Sequence, residues 1–128
     1  MISYAMLGTN DLSKSRAFYD PITKMLGARV VASLSSDKRV WYSIGKDTPM
    51  LVITKPYDDQ PATAGNGSML AFTCPSRDVV DDIHAKALSL GAVDECAPGL
   101  RGDAFYGAYF RDPDGNKLCI YKFGPESV

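Results

Sequence analysis

The stretch Phe110-Arg111-Asp112-Pro113-Asp114-Gly115-Asn116-Lys117 decides how the chain is read. In Asp112-Pro113-Asp114-Gly115, proline at the second position and glycine at the fourth suit a type I turn, since the ring pre-sets φ and glycine tolerates the exit. The flanking runs, Ala104 to Arg111 and Lys117 to Phe123, are rich in aromatic and branched residues, so the turn predicts a hairpin. Working back, Ala92 to Cys96 makes a short strand, and Gly91 stops a helix capped by Ser76 whose apolar face carries Val80, Ile83, Ala87 and Leu90. A strand from Ser68 to Thr73 precedes that helix, giving the order βαβββ.

The first half repeats this order. Residues 2 to 8 form a strand ending at Gly8, and Asn10 or Asp11 caps a helix with Leu12, Phe18, Ile22 and Met25 on its apolar positions and Gly27 as its stop. Pro21 removes a helical hydrogen bond at a cost of about 3 kcal/mol, so a kink or a short second helix is expected there. Three strands follow, Arg29 to Leu34, Val40 to Gly45 and Met50 to Thr54. Superposing the halves puts Tyr4 opposite Met69, Gly27 near Gly91, Trp41 opposite Phe105 and Val52 opposite Cys119. The pattern predicts an α+β fold of two tandem βαβββ modules in a single domain over residues 1–128: an N-terminal module 1–56, a linker 57–67 and a C-terminal module 68–124. Each sheet covers one face with its helix, and the remaining curved faces are expected to enclose a cleft.

Composition excludes several function classes. With 14 basic and 15 acidic residues, scattered without a basic patch, the chain lacks the footprint of a nucleic-acid binder. No apolar run approaches the roughly 18 residues of a membrane span. The opening Met1-Ile2-Ser3-Tyr4-Ala5 reads as a strand rather than a secretory signal, and Cys74, Cys96 and Cys119 form neither a CxxC pair nor an even set. A reducing cytoplasmic location is expected.

The segments Asn10-Asp11-Leu12, Ser15-Arg16-Ala17-Phe18-Tyr19-Asp20 and Leu26-Gly27, with Phe110 to Lys117, resemble the signature stretches of the vicinal-oxygen-chelate superfamily of glyoxalases, bleomycin-resistance proteins and extradiol dioxygenases. The resemblance implies histidine or glutamate ligands on the first, fourth, fifth and eighth strands, presenting a metal to the cleft. The corresponding residues here are Tyr4, Val52, Met69 and Cys119, none of them a ligand of hard divalent cations. No metal site and no cofactor are expected, and relatives' habit of pairing implies a homodimer.

Strand alternation sets Tyr4, Val52, Met69 and Cys119 on faces of methionine, aromatic and small residues, the character of either a small-molecule pocket or plain core. Tyr109 stands where some relatives place a tyrosine beside substrate, with Trp41, Tyr106 and Tyr121 on the strands as further candidates. Arg101, in a glycine-rich loop before the seventh strand, either receives an anion or is solvated. Lys117, two residues from Cys119, would favour its thiolate against the apolar surroundings that oppose it. His84, the only histidine, reads as a solvent-edge helix residue. The expectation is a glyoxalase- or bleomycin-resistance-like protein binding a small organic molecule in a metal-free cleft. The rival is a lyase- or dioxygenase-type enzyme with an atypical or metal-independent site.

Overall fold

A computed structural model of the chain describes residues 1–124. The chain divides into two compact units, Met1–Ala64 and the unit that begins at Gly65, the boundary falling within the polar connection. The first unit contains β1 (Tyr4–Gly8), α1 (Leu12–Met25), β2 (Arg29–Val30), β3 (Arg39–Ser43) and β4 (Met50–Thr54). The second contains β5 (Met69–Thr73), α2 (Arg77–Ser89), β6 (Val93–Arg101), β7 (Phe105–Arg111) and β8 (Lys117–Phe123). Each unit builds an open, mixed four-stranded sheet, ordered β1-β4-β3-β2 and β5-β8-β7-β6, in which only β1–β4 and β5–β8 run parallel.

In the first unit the Asp11 carboxylate accepts the Lys14 N–H at 3.1 Å and so satisfies one of the unpaired donors of the first turn of α1. Leu12, Phe18, Tyr19 and Ile22 recur at helical spacing and are buried, as are Val40, Tyr42, Leu51 and Ile53 of the sheet that α1 packs against. Each such side chain contributes about 1.5–3 kcal/mol on removal from water. The Tyr42 hydroxyl donates to Asp20, which also pairs with Arg16 at 3.1 Å. Burial, with the Asp20 carboxylate adding to it, pushes the Tyr42 phenol far above its usual range.

Pro21 does not divide this helix. It lies inside one continuous α1, and in the turn after it the Thr23 hydroxyl donates to the Tyr19 carbonyl at 2.7 Å. The strand expected over Arg29 to Leu34 is only two residues long and gives way to a 3₁₀ turn at Ala32–Leu34. Ser35 explains the break: its hydroxyl donates to the Val31 carbonyl at 2.8 Å and accepts the Trp41 N–H at 3.1 Å, offering the backbone an alternative to further ladder bonds.

The second unit is built the same way. Ser76 accepts the Val79 N–H at 3.2 Å, and Val80, Ile83 and Ala87 are fully buried, as are Ala108, Phe110, Leu118 and Ile120 of the strands under α2. His84 belongs to this buried face, contrary to the sequence expectation. It is 6% exposed, sets its ring edge-on to Phe110, and places Nε2 3.0 Å from the Asp94 carboxylate of β6. The Asp112 turn closes the hairpin: Gly115 N–H meets the Asp112 carbonyl, and the Asp112 carboxylate accepts the N–H groups of Asp114 and Asn116, each at 2.9 Å.

Strand β6 runs well beyond the expected Ala92 to Cys96. Register shifts between Asp94 and Cys96 and between Cys96 and Gly99 carry it past Pro98, which an edge strand tolerates because its missing N–H need not meet a neighbour. Arg101 therefore ends a paired strand and is not in a loop. Register also corrects the superposition of the halves: Trp41 pairs with Val52 as Tyr109 pairs with Cys119, so the equivalent of Trp41 is Tyr109 rather than Phe105.

Candidate functional site

Each sheet has one face covered by its helix and one that is not. In the first unit, alternation puts Tyr4, Met6, Val52 and Trp41 on the face away from α1. The Tyr4 and Trp41 rings lie 4.8 Å apart at 56°, Tyr4 is half exposed, and Val52 is fully buried.

The corresponding face of the second unit is chemically richer. One row crosses it through Ala71, Cys119, Tyr109 and Cys96 on β5, β8, β7 and β6. Met69 and Lys117 form the neighbouring pair on one side of this row, and on its other side Tyr121 stacks on Phe105 with centroids 5.0 Å apart and planes at 11°. The Arg101 guanidinium carbon is 5.3 Å from the Tyr109 ring centroid and the Lys117 ammonium 5.6 Å from it, two cation–π contacts on one phenol. Five of the residues expected at a site, Met69, Arg101, Tyr109, Cys119 and Tyr121, thus share a face. Tyr106 does not. It lies on the helix-covered side, where its hydroxyl donates to Asp81 of α2 at 2.6 Å and its ring carries the Arg77 guanidinium.

Arg101 also differs in role from the expected solvated or anion-binding loop residue. Its guanidinium donates to the carbonyls of Gly99 (2.7 Å), Ala97 (3.2 Å) and Gly107, and to the Cys96 sulfur, which ties the bulged β6 to β7. Lys117 keeps more of its donor capacity, since its ion pair to Glu95 is long at 3.7 Å. Glu95 is held chiefly by Arg111, whose hydrogen bond, aided by the charges of Arg111 and Lys117, lowers its carboxyl below the usual range. Cys96, Phe105 and Glu95 are neighbours the sequence did not single out. Cys96 lies just past a bulge, where the period-two pattern that would have placed it fails.

Burial, outweighing the nearby cations, pushes the Cys119 thiol above its usual value and likewise raises the Tyr109 phenol; the two share a hydrogen bond. Both groups therefore stay protonated at neutral pH. The face offers an apolar surface, a phenol and positive charge, and neither of these two groups is a base.

The four positions at which the resemblance implies metal ligands do not fit a divalent ion. Val52 has no donor and is sealed, Cys119 is a buried protonated thiol, Tyr4 packs its ring at a tilt against Trp41, and Met69 offers only a thioether. Among the described residues, no three of histidine, cysteine, aspartate and glutamate are grouped to hold a metal.

Two βαβββ units, each with a helix on one sheet face and a parallel strand pair at one edge of its sheet, define the class of protein. The family model described as the Glyoxalase/Bleomycin resistance protein/Dioxygenase superfamily matches residues 1–120, and the chain belongs to that superfamily. A glyoxalase/bleomycin resistance protein from Albidiferax ferrireducens T118 is similar to it at 40% identity and TM-score 0.85, over 95% of this chain and 98% of that one. A putative glyoxalase from Bacillus halodurans is similar at 25% identity and TM-score 0.78, over 95% of each chain. A family enzyme from Burkholderia phytofirmans PsJN shares the fold at 21% identity and TM-score 0.76, over 94% and 97%. No protein of curated function is significantly similar in sequence. Among the described residues no helix is long and apolar enough to cross a membrane.

Proposed function

We propose that this chain binds a small organic molecule on the helix-free face of its C-terminal sheet, around Tyr109, and does so without a metal ion. The observation that carries this reading is the row Ala71, Cys119, Tyr109 and Cys96, which brings a phenol and two thiols together on one face, with Cys119 at a position where the resemblance implies a metal ligand. An apolar surface with a few placed polar groups is the usual make-up of a small-molecule site. A lyase- or dioxygenase-type reaction is the weaker reading, because proton abstraction needs a base poised near the operating pH, and Tyr109 and Cys119 are both shifted away from it. His84 is packed on the opposite, helix-covered face.

The test is metal content of protein purified without chelator, with thermal shifts in zinc, nickel, manganese and iron(II). The expected result is no stoichiometric metal and no shift. A bound metal lost on Cys119→Ser or Tyr4→Phe overturns the reading.

Homodimerisation accompanies this proposal. It is supported by Tyr4, Met6 and Met69, which stand 50%, 48% and 44% exposed on the edge strands β1 and β5, apolar surface that a second copy would cover. Light scattering on the full chain tests it. A cytoplasmic location is supported by the three free thiols.

A further inference from the structure

We infer that the ligand of the Tyr109 face is a small organic anion, a carboxylate with a compact apolar body, and not a cation. This deepens the proposed function and rests on it.

Charge on the sheet is lopsided. The strands around Tyr109 contribute three cations, Arg101, Arg111 and Lys117, and among the described residues Glu95 is the one carboxylate in ion pairs with them. The whole chain carries a net charge of −1, so this local excess runs against the balance of the molecule. A positive, partly desolvated surface concentrates anions and repels cations.

The three cations are not equivalent. Arg111 is engaged by Glu95 and by the Gly115 carbonyl at 3.0 Å, and Arg101 donates to three backbone carbonyls and the Cys96 sulfur, so both act on a ligand mainly through charge. Lys117 is the group able to donate. Its ammonium stands 5.6 Å from the Tyr109 ring centroid and only loosely paired, and a carboxylate would draw it away from Glu95, which Arg111 continues to hold. The exposed Met69 beside Lys117 and the ring of Tyr109 supply apolar surface for the body of the ligand. A cationic ligand would meet two positive charges in excess of Glu95 and, among the described residues, no further carboxylate paired with them.

The experiment uses the full, isotope-labelled chain and three probes with one body and different heads: 4-methylbenzoate, 4-methylbenzamide and 4-methylbenzylamine. Amide shifts at Cys96, Tyr109 and Cys119 report binding at this face. The carboxylate is expected to bind at least about tenfold more tightly than the amide, with the amine weakest. Its affinity should fall as salt rises and drop several-fold in Lys117→Met. Equal binding of carboxylate and amide, or affinity indifferent to salt, overturns the anion inference and leaves the face as a binding site. Shifts at these residues from none of the three probes overturn both. The salt series on the unaltered chain keeps the test decisive if Lys117→Met folds poorly.

Discussion

The guanidinium carbon of Arg101 lies 5.3 Å from the ring centroid of Tyr109, while its N–H groups bond the carbonyls of Ala97, Gly99 and Gly107. One side chain thus fastens the bulged edge strand and shapes the surface of the neighbouring one. Arg101→Ala is expected to cost about 1–3 kcal/mol, from charge-assisted hydrogen bonds left without their donor. Arg101→Lys should recover little of it, because an ammonium cannot reproduce the planar fork. Chemical denaturation of the three proteins checks this; full rescue by lysine would mean that charge alone, not donor geometry, holds β6.

The three thiols differ in burial. Cys96 is exposed, whereas Cys74 and Cys119 are 3% and 1% exposed. Burial pushes the Cys74 thiol up to about 11 and raises that of Cys119. Thiolate is the reactive form, so Cys96 should be alkylated rapidly and the other two only when the chain opens. Mass spectrometry after timed exposure to iodoacetamide reads this directly. Prompt labelling of Cys119 in the folded protein would show that the Tyr109 side chain does not keep reagents from it.

Much of the architecture was legible because its signals are local. Ser76, Asp11, Gly27, Gly91 and the Asp112 turn mark boundaries through their own backbone chemistry, and the periodicity of Val80, Ile83 and Ala87 needs no partner to be seen. What was missed depends on contacts distant in the chain. The Ser35 hydroxyl ends β2 only because Trp41 lies across from it. His84 is buried because Asp94, on another element, receives its ring nitrogen. The site was half visible for the same reason. Alternation gave the company of Cys119 and Lys117, but the bulges in β6 hid Cys96 and made Arg101 look like a loop residue. Tyr106 was read with the site although β7 alternation turns it toward α2.

Glu95 makes part of the stability sensitive to acid. Arg111 lowers its folded-state pKa, so the contribution is complete above the ordinary carboxylate value near 4.5 and is lost as pH falls through the lower folded value. Glu95 is exposed, so solvent screens the pair and the effect should be small and weakened by salt. Melting temperatures of the unaltered chain and Glu95→Gln are expected to separate above the ordinary carboxylate value and to converge as pH falls through the lowered folded one. Curves that stay parallel across that window would assign the Arg111 contact no net role.

Gly107 tests whether the packing around Tyr121 is tight. A Cβ there would come within 2.5 Å of Phe105 Cε1, far inside contact distance, and within 3.2 Å of the Ile120 carbonyl oxygen. Phe105 would have to leave its stacked position on Tyr121, so Gly107→Ala is expected to cost about 1–3 kcal/mol by overpacking. The ring is the larger obstacle because the backbone oxygen is met at a distance that a few tenths of an ångström relieves. In a Phe105→Ala background the same substitution should therefore cost distinctly less, a coupling that a double-mutant cycle of unfolding free energies measures. An equal cost in both backgrounds would place the strain in the β7–β8 backbone instead, and would mean that the aromatic stack yields readily to a group entering from the sheet face.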